Sequence, residues 1–190
     1  MNSTYEVEVK LAIEDIAEIE ERIRLLGAER TNIEVQIDSY FNHPCKSFQA
    51  TDEALRVRER RPLDHEGSTL STELVELTYK GPKIDTTTKT RAESSVQLND
   101  AESVTTILES LGFKLVAQVS KKRQFFSLSE MTISTDEVED VGLFIELESI
   151  ANNEDELAEK RERIFKVVKD LGLDITQSIR ESYLELYLNR

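Results

Sequence analysis

Three charged residues at alternate positions open the chain: Glu6, Glu8 and Lys10, interleaved with Val7 and Val9 and flanked by Tyr5, Leu11 and Ile13. In a strand, alternate side chains face opposite sides. This segment therefore has one apolar face and one row reading acid, acid, base. The spacing recurs down the chain. Arg56, Arg58 and Arg60 share a face opposite Leu55 and Val57, Thr78 and Lys80 oppose Leu77 and Tyr79, and Lys89, Arg91 and Glu93 align. Lys121 and Arg123 lie with Val119 and Phe125, Ser134 lies with Asp136, and Glu146 and Glu148 oppose Ile145 and Leu147.

Taken singly, each row suits a sheet with one solvated face. The set asks for more. The chain has 24 Lys and Arg against 38 Asp and Glu, a formal charge of -14, yet Arg and Lys dominate the middle strands. A sheet would gather these cations while the helices carry the acid surplus. Repulsion among them calls for a counter-charge, and a triphosphate would supply one through charge-assisted, often bidentate contacts. Glu6, Glu8, Asp136, Glu146 and Glu148 are hard oxygen donors of the kind that magnesium bridges to phosphates. A closed or nearly closed barrel alternates interior and exterior along each strand, which would bring both sets into one interior.

The elements that must position these rows follow from periodicity and punctuation. Strands are expected at 5–13, 35–41, 54–60, 72–81, 88–96 and 114–128, with a hairpin of 131–139 and 142–150. Helices are expected at 14–26, closed by Gly27, from a cap at Asn99 or Asp100 to Leu111, at 153–170, and over 176–188. This order predicts one α+β domain spanning 1–190, dominated by antiparallel strands. The acidic balance argues against nonspecific binding of nucleic acid or anionic membrane. No apolar run is long enough to span a bilayer, and the start has no signal-peptide pattern. Cys45 is the only cysteine, which excludes an intrachain disulfide and fits a reduced thiol in a cytoplasmic protein. His43 and His65 read as ordinary loop residues.

In order along the chain, "EVEVK" (6–10), "LRVRER", "YKGPK", "TRAE", "SKKRQFF", "STDEVEDVG", "IELE" and the closing "SYLELYL" resemble the CYTH superfamily, the triphosphate tunnel metalloenzymes. The likeness covers residues 4–188 and is greatest to class IV adenylate cyclases and their archaeal and bacterial relatives. It implies an eight-stranded antiparallel β-barrel or tunnel with flanking helices, binding a triphosphate with a divalent metal, Mg2+ or Mn2+. Carried over by position, Glu6 and Glu8 would hold metal, with Glu146 and Glu148 as further ligands. Lys10, Arg56, Arg58, Lys80, Arg91, Lys121 and Arg123 would grip phosphate oxygens. Lys10 and Asp136 would be catalytic, Asp136 by binding metal or by organising the attacking group, and Glu93 would orient Arg91. Arg60 is expected at the tunnel mouth and Lys122 on the surface. Tyr183 could close a tunnel end, although its spacing beside Leu184 and Tyr187 equally suits packing. The absence of Trp counts against the thiamine triphosphatase branch.

Three functions are consistent with such a tunnel. The first is an adenylate cyclase converting ATP to cyclic AMP and pyrophosphate. The second is an inorganic or nucleoside triphosphatase, and the third a non-catalytic triphosphate-binding module. The resemblance also suggests a homodimer.

Overall fold

A computed structural model describes residues 5–64, 67–70, 74–83 and 91–190. Lys89 and His65 lie outside the described residues. The strands are β1 (Tyr5–Ala12), β2 (Glu29–Asn42), β3 (Ala54–Pro62), β4 (Leu74–Lys83), β5 (Arg91–Leu98), β6 (Lys114–Leu128), β7 (Met131–Val138) and β8 (Gly142–Ala151). The helices are α1 (Ile16–Leu25), α2 (Ala101–Ser110), α3 (Leu157–Asp170) and α4 (Tyr183–Leu188). All eight strands join one sheet in the order β1-β8-β7-β6-β2-β3-β4-β5, and every ladder is antiparallel. The sheet curls into a half-barrel that brings its edges, β1 and β5, towards each other.

The apolar faces point outward and are covered by helices. Val7, Val9 and Leu11 of β1 and Ile145 and Leu147 of β8 pack against Ile19 and Ile23 of α1 and Ile164 and Val168 of α3. On the other flank, Leu108 of α2 packs against Phe41, Leu55, Val57 and Val75. Each fully buried Ile or Leu side chain contributes about 1.5–3 kcal/mol, more than an exposed ion pair does. The helix layer therefore holds the sheet and frees the concave face for ionic side chains. Helix starts follow the sequence: Asp15 accepts from the Glu18 N–H at α1, and Asp100 from the Glu102 and Ser103 N–H groups at α2. Among the described residues no helix is long and apolar enough to cross a membrane.

Three of the boundaries that differ from expectation have a clear physical reason. β2 begins at Glu29 rather than 35, because its polar first half pairs with β6. β4 runs through Gly81 and Pro82 to Lys83, and a register shift between Lys80 and Lys83 accommodates a residue that has no N–H to donate. The last helix is confined to Tyr183–Leu188. Before it the chain bonds elsewhere: Ile179 N–H donates to the Lys10 carbonyl at 2.8 Å, and Lys10 Nζ donates to the Glu181 carbonyl. These tertiary bonds displace the helical ones.

Candidate active site

Residues directly opposite across an antiparallel ladder point to the same side, so the register decides which charged rows meet. Lys10 lies opposite Glu146, and Glu8 opposite Glu148. Arg123 lies opposite Asp136 on one side and Glu34 on the other. Asp38 lies opposite Arg58, Arg56 opposite Thr78, and Lys80 opposite Glu93. The concave face thus carries every inward row. Of the twelve residues proposed for the site, all but Lys10 and Asp136 line one cavity of about 310 Å³. Lys10 and Asp136 sit behind its wall, 1% and 0% exposed. Arg60 pairs with Glu34 at 2.8 Å, and Lys122 is exposed.

The cations are not held apart by an external counter-charge alone. Asp38, fully buried, accepts two bonds from Arg58, each 2.6 Å, and one from Lys121 at 3.3 Å, with Arg56 at 3.9 Å. Arg123 donates through Nε to Asp136 at 2.6 Å and through Nη2 to both Asp136 and Glu146. Lys80 pairs with Glu93. Burial raises the Asp38 carboxyl, but Arg58, Lys121 and Arg56 outweigh it and hold the group well below the usual carboxylate range. Burial likewise pushes the Lys121 ammonium down to about 7; Arg58 adds to the fall, and Asp38, whose charge is largely engaged by Arg58, only partly opposes it.

Two groups of atoms in the wall suit a ligand. Arg56 Nε is buried with no hydrogen-bond partner, and its guanidinium approaches Asp38 and Glu76 only at 3.9 and 3.8 Å. Arg56 lines the cavity as a cation that no carboxylate meets at hydrogen-bond distance. On the opposite wall, burial followed by the charges of Glu148 and Glu8 raises the Glu6 carboxyl to about 8. Burial and Glu8 raise Glu148 as well. Carboxylates that repel one another in this way would be relieved by a divalent cation.

Charge balance agrees. On the ladders, the nine inward carboxylates Glu6, Glu8, Glu34, Asp38, Glu76, Glu93, Asp136, Glu146 and Glu148 slightly outnumber the eight cations Lys10, Arg56, Arg58, Arg60, Lys80, Arg91, Lys121 and Arg123. A triphosphate entering alone would leave the cavity strongly negative, whereas one accompanied by divalent cations would not. Among the described residues, no three Asp, Glu, His or Cys side chains are arranged to enclose an ion unaided. A magnesium ion there would keep several waters and join one or two of the carboxylates to phosphate oxygens.

Sequence reading missed Asp38 and underrated Tyr183. Asp38 lies in the row Glu34, Gln36, Asp38, Tyr40 of β2, whose alternation with Val35, Ile37 and Phe41 was legible. Tyr183 is 5% exposed; burial, then Glu146 and Asp136, raise its phenol well above the usual value. The hydroxyl therefore stays a donor, and it donates to Asp136 at 2.6 Å.

The sheet is a curled antiparallel half-barrel with cations and carboxylates on its concave face. The CYTH domain family profile matches residues 4–183, and the chain belongs to that family. It is 38% identical over 181 residues to a Methanocaldococcus jannaschii protein named "Putative adenylate cyclase", covering 95% of this chain and 97% of that one. To "Adenylate cyclase CyaB" of Aeromonas hydrophila it is 28% identical over 183 residues, covering 96% of this chain and 88% of that one. A solved structure of a Pyrococcus horikoshii protein superposes with a TM-score of 0.86 at 40% identity, covering 97% of this chain and 98% of the other.

Proposed function

We propose that this protein is a metal-dependent adenylate cyclase of the class IV type, converting ATP to cyclic AMP and pyrophosphate. The observation that carries the reading is the single cavity in which Arg56, Arg58, Lys121 and Arg123 face Glu6, Glu8 and Glu148. A divalent cation held by Glu6 and Glu8, with Glu146 and Glu148, would neutralise phosphate charge and make the ribose 3′-hydroxyl a better nucleophile. The chain's own part is to hold the phosphates. Arg58 and Arg123 are fixed by Asp38 and Asp136, so their remaining N–H groups meet phosphate oxygens without reorganising. The 3′-oxygen bonds to the α-phosphorus as its proton passes to water, the bond from the α-phosphorus to the bridging oxygen breaks, and pyrophosphate leaves.

The cavity lining also includes apolar side chains that would suit a nucleotide base. The 43–53 connection and α4 contribute Phe48, Leu184 and Leu188, with Val116 of β6, to the lining. Val116 and Leu188 remain 45% exposed. Apolar side chains in an otherwise ionic cavity would give a base a surface to pack on that tripolyphosphate does not need. Phosphorus NMR of the protein with ATP and Mg2+ or Mn2+ tests the reading. Cyclic AMP with pyrophosphate is the expected product. ADP with orthophosphate would replace the cyclase by a triphosphatase, and binding without turnover would leave a binding module.

Metal binding has its own readout. With its folded-state carboxyl raised to about 8, Glu6 keeps its proton up to that pH, whereas the unfolded chain loses it near pH 4.3. Stability through this group therefore falls as pH rises across that window. Glu6→Gln should raise Tm without metal, increasingly so towards pH 8, and should shrink the Tm gain that Mg2+ or Mn2+ gives the wild type. A wild-type Tm indifferent to both ions would remove these carboxylates from any metal site.

A further inference from the structure

The end of the chain reaches into the cavity wall. Ile179 and Glu181 bond to Lys10. Ser182 caps α4 in a capping box with Glu185. This sets Tyr183 as the first residue of α4, buried among groups that belong to four strands. Its hydroxyl donates to Asp136 Oδ2, the oxygen that also accepts from Arg123 Nη2, while Arg123 Nε holds Oδ1. Its ring lies 4.1 Å from Lys10 Nζ and 5.0 Å from Lys121 Nζ, and Phe144 supports it at 5.1 Å. One aromatic side chain thus touches two of the cations assigned to the phosphates and the carboxylate that orients a third.

We propose that Tyr183 is a positioning residue of the reaction, its hydroxyl fixing the Asp136–Arg123 pair and its ring seating the Lys10 and Lys121 ammoniums. A residue that only filled space would need neither. Phe144, Val119 and Val138 already close that cluster, and a leucine would pack there without a hydroxyl to satisfy. The hydroxyl contact divides Asp136 between two donors, so Arg123 keeps a fixed fork while its outer N–H groups stay directed at the cavity. The ring face attracts both ammoniums, which would otherwise repel each other. The proposal rests on the reading of the cavity as a triphosphate site.

Two variants of the full chain separate the parts. Tyr183→Phe removes only the oxygen. It should lower kcat on ATP about tenfold, the scale of a hydrogen bond to a charged group, with KM changed less than about threefold. Tyr183→Leu removes the ring as well and should also weaken tripolyphosphate binding about tenfold by calorimetry. Because the hydroxyl acts through Asp136, Tyr183→Phe added to Asp136→Asn should cost nothing further. A packing role would leave the Phe variant within twofold of wild type in kcat, and that result overturns the proposal. If wild type turns over no triphosphate, the cyclase reading fails on its own. Calorimetry then decides about Tyr183: weaker binding by the Leu variant supports its role, and unchanged affinity overturns it.

Discussion

Arg123→Met should cost about 3–5 kcal/mol of folding stability and lower turnover on the order of 10³-fold. Arg123 has an 11% exposed side chain and binds two carboxylates, one of them, Asp136, fully buried. Methionine fills much of the volume but leaves buried Asp136 without its guanidinium partner, held by the Tyr183 hydroxyl. Removing one partner of a buried pair costs far more than the pair itself contributes, because the survivor stays desolvated. The double variant Arg123→Met/Asp136→Leu removes both charges, so it should recover most of the stability and none of the activity. Urea denaturation followed by a product assay reads both. Arg123→Lys keeps a charge but cannot supply the two-pronged contact, and should fall between wild type and Met in each assay. A methionine variant as stable as wild type would mean that the Arg123–Asp136 pair contributes nothing to folding.

Much of the architecture could be read before any coordinates, for one physical reason. Each strand of the half-barrel has one face against helices and one against the cavity, so Glu6, Glu8 and Lys10 stand out against Val7 and Val9, as Arg56 and Arg58 do against Leu55 and Val57. Parity assigned these faces correctly and put Lys122 outside. Parity says nothing of pairing across strands. The concentration of cations suggested that an absent polyanion supplied the counter-charge. Register shows that Asp38, Asp136 and Glu93 already supply much of it. Asp38 was overlooked because a lone acid between Gln36 and Tyr40 looks like an ordinary polar row. Tyr183 was hidden differently. Its neighbours Leu184 and Tyr187 gave a helical period, and only the tertiary bonds of Ile179 and Glu181 to Lys10 end that period and turn Tyr183 inward. Local pattern sees propensity; it does not see a carbonyl on another strand.

Asp38→Asn should reveal what an internal counter-charge does in a site built for anions. Arg58 and Lys121 hydrogen-bond to it, and Arg56 stands at 3.9 Å. Asparagine keeps the shape and one oxygen but leaves three buried cations facing one another. The ligand-free variant should lose about 3–5 kcal/mol at neutral pH. The sign of the pH dependence follows from the depressed carboxyl. Its contribution is fully present above the unfolded value, about 3.9, and is lost as pH falls through the lower folded value. The gap between wild type and variant should therefore close in acid, and should also narrow as pH rises through about 7, where the Lys121 ammonium loses its proton. A bound polyanion can replace the missing charge, so metal-free tripolyphosphate should raise the variant's Tm more than the wild type's, in proportion to its tighter binding. An equal or smaller rise would mean that Asp38 serves mainly to hold the Arg58 fork in place. In that case the lost geometry would outweigh the gained attraction, and the cavity's affinity for triphosphate would depend on orientation more than on net charge.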